Sequence, residues 1–481
     1  MLKKLLSQTA LYGLSSMIGR ALNYLLVPFY TKIFAPEAFG IVTELYAYIA
    51  FLNVVFTYGM ETAYFRFATK DSLQKDAIYN VSLSAILVSS TVLGALLFVF
   101  AQPIANVLHY PNQAYLISWI AAILAIDAIV AIPFAKLRLE GKAAYFAGAK
   151  LTNIVLNIAL NYILLVYIPN HYPDSYFGKP DVGYVFLANL VANALLIPIL
   201  LQSFISFRFK LDLEILKPML KYAYPLLFMG LAGMVNEVLD RILLKQLLPE
   251  NFYPGISKLA AVGIYGACYK LSIFMSLAIQ AFRYASEPFF FARSQDKNAP
   301  ELYARVMHWF VIVCAAIFLL ISINLDTLQH ILRQPIYRTG LVVVPVLLLA
   351  NLFLGVYYNL SVWYKLTDKT YFGTWLTFAG AGITLAFNFA LIPIMGYLGA
   401  AYATLICYAS IAGLSYYFGN KYFPVPYKLQ SAIMYIVVAI VLVIAQKQIH
   451  IENIWINFIV ENSFFLPFIA LVWWNEKMRK A

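Results

Sequence analysis

Apolar windows of about twenty residues recur along almost the whole chain, and this recurrence limits the possible folds more than any single motif does. A hydrocarbon core about 30 Å thick is crossed by a helix of about 20 apolar residues. Windows near residues 9–31, 39–62, 80–102, 114–135, 146–168 and 183–206 form a first group. A second group lies near 222–245, 259–282, 303–324, 341–363, 372–393 and 397–418, and a final pair near 430–446 and 454–474. The expectation is an all-α integral membrane protein of about 14 transmembrane helices. Its parts would be an N-terminal lobe over 1–206, a cytoplasmic linker over 207–221, a C-terminal lobe over 222–420, and a last helix pair with a cytoplasmic tail over 421–481.

Composition narrows the function. Only 12% of the 481 residues are charged and 63% are apolar, against roughly a quarter charged in a soluble domain, which argues against a water-soluble fold. No expected connection exceeds roughly 20 residues, too few for an extramembrane catalytic domain of roughly 50 or more. An enzyme is therefore not expected. The net charge of +12 comes from basic residues spread singly between apolar runs, which speaks for membrane topology and against a nucleic-acid partner. About 24 of the 34 basic residues fall on the side carrying both termini, so the positive-inside rule places both termini in the cytoplasm. That side holds Lys136, Arg138, Lys142, Arg208, Lys210, Lys217, Lys221, Lys365, Lys369, Lys477, Arg479 and Lys480. Lys3 and Lys4 precede an apolar run that Arg20 interrupts, with no small-x-small cleavage site after it, so the first span is read as uncleaved. Cys268, Cys314 and Cys407 lie far apart in apolar stretches, without metal or disulfide spacing, and are read as packing residues.

Transporters are commonly built from duplicated halves, and a weak, ordered repeat is present here. Arg20 through Pro28 aligns without gaps on Arg241 through Pro249, an offset of 221. Phe39-Gly-Ile-Val then matches Val262-Gly-Ile-Tyr, Arg138-Leu-x-x-x-Lys142 matches Lys365-Leu-x-x-x-Lys369, and Asn161 matches Asn388 at an offset of 227. Six spans per repeat return the chain to the same side, so the two lobes would be related by an axis along the membrane normal, with a central cavity between them.

Charges within the spans are the candidate functional residues, because an ionised side chain at mid-bilayer costs about 2.5 to 3.5 kcal/mol unless it finds a partner or water. Arg20 lies roughly 16 Å into the first span, with Ser16, Asn23 and Tyr24 on its helical face. The seventh span carries Asn236, Glu237, Asp240, Arg241 and Lys245 along one side. Glu44, Asp127 and Lys270 complete the deep set. Glu237 with Arg241, Glu61 with Arg66, and Arg283 with Glu287 are spaced so that each pair could neutralise itself. Arginines and a lysine facing one wet cavity would bind an anion, and the planar guanidinium fork suits phosphate.

The opening Leu14-Ser-Ser-Met-Ile-Gly-Arg20, the run Pro28-Phe-Tyr-Thr-Lys-Ile-Phe-Ala-Pro-Glu-Ala-Phe-Gly-Ile-Val42 and the turn Arg138-Leu-Glu-Gly-Lys142 resemble the bacterial polysaccharide-transporter proteins. These are the O-antigen and exopolysaccharide repeat-unit flippases of the multidrug/oligosaccharidyl-lipid/polysaccharide (MOP) superfamily. The resemblance implies movement of an undecaprenyl-diphosphate-linked glycan from the cytoplasmic to the outer leaflet of the bacterial inner membrane, by alternating access. It assigns Arg20 and Arg241 to the diphosphate, with Lys270 and Arg283 as helpers. It implies partners among polysaccharide polymerases and other glycan-assembly proteins, and no cofactor beyond Na+ or H+ as coupling ion. Related lipid II flippases hold sodium on spans 7, 11 and 12, where Glu237 or Asp240, Thr384, Asn388 and Thr404 stand here; span 11 lacks a carboxylate, which counts against sodium. Glu44, Glu61, Asp127, Glu237 and Asp240 are the proton-coupling candidates. A multidrug cation antiporter of the same superfamily and a lipid II flippase are the competing readings, and the deep arginines count against the antiporter.

Overall fold

A computed structural model describes residues 17, 18, 21, 22, 24, 26–70, 73–294, 296–449 and 454–478. Every regular element among them is helical, as backbone groups in lipid require. Among the described residues, ten helices are long and apolar enough to cross a membrane. An eleventh results if Lys258–Leu271 and Ile273–Phe291, bent by 46° at Ser272, count as one span. This is a multi-pass membrane protein. The count is lower than the expected fourteen for three local reasons. The window at 9–31 lies mostly outside the described residues. The window at 183–206 is divided into Gly183–Ala194, Leu196–Ile199 and Leu201–Ile205, with Pro198 in the middle piece. The window at 222–245 lies within a 35-residue helix, Leu213–Leu247, which is not among those ten.

The principal helices are α1 (Pro36–Thr57), α2 (Met60–Lys70), α3 (Lys75–Val99), α4 (Ala114–Leu139), α5 (Ala143–Tyr162), α6 (Gly183–Ala194) and α7 (Leu213–Leu247). They continue with α8 (Lys258–Leu271), α9 (Ile273–Ala292), α10 (Ala299–Ile323), α11 (Val343–Leu360), α12 (Tyr371–Met395), α13 (Tyr397–Tyr422), α14 (Leu429–Gln446), α15 (Ile454–Ser463) and α16 (Phe465–Met478). The chain forms two compact units, one of Met1–Leu26 with Ile41–Met234, the other of Val27–Gly40 with Val235–Ala481.

In the first unit α1 breaks at Tyr58 and Gly59, both at positive φ, and α2 continues beyond the bend. A Cβ on Gly59 would lie 2.8 Å from Leu226 Cβ, so the missing side chain lets α7 approach the bend. The end of the unit beyond the bend is basic and held by polar contacts. Lys136 donates to Ser206 Oγ (2.8 Å) and lies over the Tyr79 ring, whose hydroxyl donates to the Ser203 carbonyl (2.8 Å). The Arg208 and Lys210 amides donate to Asn80 Oδ1 and Ser84 Oγ.

The second unit is tied to residues 27–40 by Tyr337, whose hydroxyl donates to the Phe34 carbonyl (2.9 Å), and by Gln334, which donates to the Lys32 and Phe34 carbonyls. The first turn of α1 crosses α8 at two glycines. A Cβ on Gly40 would lie 2.1 Å from the Leu259 carbonyl oxygen, and one on Gly263 would lie 2.0 Å from that of Pro36. Residues 36 and 40 stand to 259 and 263 at one offset, so each helix presents the same backbone positions to the other. The last helices dock on α10. His308 Nε2 meets Glu476 Oε1 at 2.8 Å, and the Asn324 and Asn462 amides bond reciprocally at 3.1 Å.

Candidate functional site

The polar stripe expected on span 7 is present on α7 and is divided between two jobs. Asp240 is buried, and both its oxygens are engaged. Oδ1 accepts from the Arg241 amide (2.9 Å), and Oδ2 accepts from the hydroxyl of fully buried Tyr265 on α8 (2.5 Å). One turn of α8 further on, the Tyr269 ring lies under the Arg241 guanidinium at 4.2 Å. Arg241 also donates to the Glu237 carbonyl oxygen (3.2 Å). The spacing-based pairing of Glu237 with Arg241 is thus replaced by a main-chain contact, because the guanidinium is drawn to the aromatic face. Glu237 itself is exposed. The contact with the ring face helps to fix the arginine.

Asn236, on the same helix, faces α12 and α13. Its amide donates to the Thr377 carbonyl (3.2 Å), and its Oδ1 accepts from the Thr384 hydroxyl (3.1 Å). Tyr408 donates to the Asn236 carbonyl (3.1 Å). A Cβ on Gly380 would lie 2.9 Å from Asn236 Nδ2, so this glycine makes room for the amide. Among the sodium candidates, Thr404 donates within its own helix to the Ala400 carbonyl (3.1 Å), while Asn388 donates to the Thr384 carbonyl (2.7 Å) and keeps a buried Oδ1 with no partner among the described residues. Thr384 and Asn388 are therefore brought together one turn apart. Asp240 is turned instead toward α8.

The acidic candidates of the first unit each have a partner. Glu44, nearly fully buried, accepts a hydrogen bond from Tyr110. Glu61 pairs with Arg138, not with Arg66, whose guanidinium lies over Tyr222. The bend at Gly59 turns α2 so that Glu61 meets the end of α4. Asp127 accepts from Asn193 (2.8 Å), and the chain of amides continues from Asn193 to Asn153 and Asn189, and from Asn189 to Tyr46. Arg283 and Lys270 are exposed, Arg283 with its guanidinium over Tyr358 at 4.7 Å. Arg20 and the Glu287 side chain lie outside the described residues.

Sequence reasoning missed Tyr265 and Tyr269, which hold Asp240 and Arg241, and it missed the amide chain around Asp127. A signal for the second was present. Asn189 and Asn193 on α6, and Asn153, Asn157 and Asn161 on α5, recur every four residues and so line one face of each helix.

Known structures share this architecture. The chain is similar to the lipid II flippase MurJ in an inward closed conformation, with a TM-score of 0.73 at 14% identity over 97% of this chain and 99% of that one. It is also similar to an inward-facing multidrug resistance MATE family transporter of the MOP superfamily (0.67, 14%, 84% and 94%) and to a point mutant of the Vibrio cholerae MATE transporter VcmN (0.59, 14%, 87% and 97%). Identities this low establish a shared fold only. No curated protein matches the chain in sequence. The apolar helices and the fold together define a multi-pass membrane protein with the fold of these structures. Within that class the chain belongs to the polysaccharide biosynthesis protein family, whose model matches residues 5–292.

Proposed function

We propose that the protein is a flippase that carries an undecaprenyl-diphosphate-linked oligosaccharide, a repeat unit of O-antigen, lipopolysaccharide or exopolysaccharide, from the cytoplasmic to the outer leaflet of the bacterial inner membrane. The observation that carries this reading is Arg241, a guanidinium stacked on Tyr269 well inside a helix, beside an acid already engaged by Tyr265. A guanidinium held over an aromatic ring suits a diphosphate, which would share it with the Asp240 carboxylate. Family membership and the likeness to a lipid II flippase support the same cargo class. Arg20 is assigned to the diphosphate with Arg241, and Lys270 and Arg283 to its approach. No bond is made or broken: the lipid tail stays in the bilayer while the head passes between two six-helix lobes by alternating access, with both termini cytoplasmic.

Coupling to an ion is part of the proposal, and the donor set favours H+ over Na+. The expected sodium set has no carboxylate on α12, and its buried acid, Asp240, accepts from the Tyr265 hydroxyl and the Arg241 amide. Exchangeable protons have candidate carriers in Glu44, Glu61, Asp127 and Glu237. A multidrug cation exporter shares the fold, but a deep arginine would repel its cargo.

Glycan export in cells, with membrane insertion checked by quantitative blotting, tests the assignment. Arg20→Ala and Arg241→Ala are expected to insert normally and to lose export by about tenfold or more each, the loss of a charge-assisted contact at a desolvated site. Arg241→Lys should keep part of it. Normal export by the double alanine variant would remove the proposed diphosphate site.

A further inference from the structure

The geometry points to a second anion site, at the basic end of the first unit: a pocket that binds the phosphate-bearing headgroup of a membrane lipid. A cavity of about 310 Å³ lies between α2 and the start of α7, lined by Arg66, Phe67, Lys70, Pro218, Lys221 and Tyr222. Three of its six lining residues are cations, and none is acidic. Arg66 is held in place, its guanidinium 4.2 Å from the Tyr222 ring centroid, while Phe67 packs edge-on against the same ring. A guanidinium over an aromatic face can still donate N–H bonds to a phosphate oxygen.

Three acids at this end of the unit are paired, while Asp76 and Glu214 are exposed, and none of the five lines the pocket. Glu61 pairs with Arg138, Glu140 with Lys142 (2.8 Å), and Asp212 with Lys210 (3.1 Å). The Lys210 ammonium also holds the Asp212 carboxyl below its ordinary range. The pocket's positive potential is thus left to attract an anion.

The surroundings fit a lipid better than a free ion. Leu220, Tyr224 and Phe228 are exposed and follow one another at four-residue spacing on α7, so they form a greasy stripe next to Lys221. A head in the pocket could lay its chain along this stripe. Basic pockets between helices at the cytoplasmic face are a general means of holding anionic headgroups. Two lipids share the chemistry, an isoprenoid diphosphate and a bilayer phospholipid. The inference rests on the reading of this end as cytoplasmic and is independent of Arg241.

Full-length protein in phosphatidylcholine nanodiscs would be titrated with undecaprenyl diphosphate and, separately, with phosphatidylglycerol, with binding counted by native mass spectrometry. Each titration is run in wild-type and Arg241→Ala backgrounds. Combined Arg66→Gln, Lys70→Gln and Lys221→Gln is expected to weaken binding about a hundredfold, since each surface cation is worth about fivefold toward an anionic lipid. The three single variants, each about fivefold weaker, serve if the triple variant does not fold. Loss confined to undecaprenyl diphosphate makes the pocket a loading site for cargo, and loss of both lipids makes it a general headgroup site. Unchanged binding of both lipids in all variants overturns the inference. Because the readout is binding in both backgrounds, a failed export reading does not alter it.

Discussion

Two turns 227 residues apart show how similar backbone can serve different chemistry. After α4 the chain turns at Gly141 (φ 70°), with the Lys142 amide bonded to the Leu137 carbonyl at 2.9 Å. Ahead of α12 it turns at Asp368 (φ 56°), with the Lys369 amide bonded to the Tyr364 carbonyl at 2.9 Å. In the helices that follow, Asn161 and Asn388 are fully buried, and each donates to a carbonyl four residues back, at 2.8 and 2.7 Å. The side chains at that earlier position then diverge. Asn157 stays local and accepts a second bond from Asn161 (3.1 Å), whereas Thr384 reaches across to Asn236 on α7 (3.1 Å). The shared frame includes the turn and the back-bonded asparagine. What differs is whether the next polar group closes on its own helix or links two helices.

The harshest test of equivalent positions is the crossing of α1 and α8. Gly40→Ala and Gly263→Ala would each drive a Cβ onto a carbonyl oxygen, at 2.1 and 2.0 Å. Each should cost about 1 to 3 kcal/mol, the usual penalty of overpacking a close contact. Thermal unfolding of the detergent-solubilised protein should show similar losses for both. Gly148→Ala and Gly382→Ala, where nothing lies within 4 Å of the added atom, should be neutral or slightly stabilising. A large loss at one crossing glycine and none at the other would break the equivalence.

Much of this frame was legible in the sequence, because it follows from backbone demands. Apolar windows marked helices, and the matches Gly40 with Gly263 and Asn161 with Asn388 marked places where a helix needs closeness or an internal amide bond. The site was less legible. Glu61 and Arg66 are close in sequence, but at five residues apart they do not share a helical face, and Glu61 pairs with Arg138, seventy-seven residues on. Arg241 likewise leaves the Glu237 carboxylate for a tyrosine on another helix. Spacing reports contacts within an element; partners on other helices depend on packing that periodicity does not encode.

A smaller effect of opposite sign separates the two turns. Gly141→Ala puts a Cβ into the left-handed region and should destabilise by about 1 kcal/mol, whereas Asp368→Gly should relieve up to about the same amount. Circular-dichroism melts of both variants would show it. Equal shifts in one direction would mean the turns are not alike.

The smallest expected effect lies where the two regions diverge. Thr384→Val keeps the shape of the side chain and removes the hydroxyl that Asn236 Oδ1 accepts. Interhelical hydrogen bonds in membranes average about 0.6 kcal/mol, so the melt should shift only slightly. Asn157→Leu removes a bond that lies within one helix, and it should not loosen any pair of helices. A cysteine pair placed across α7 and α12 would therefore crosslink at a changed rate in Thr384→Val, while a pair across α5 and α6 would be unaffected in Asn157→Leu. If both variants left crosslinking unchanged, the Thr384 contact would be a local one like that of Asn157, and the second unit would have gained no coupling between helices from the exchange.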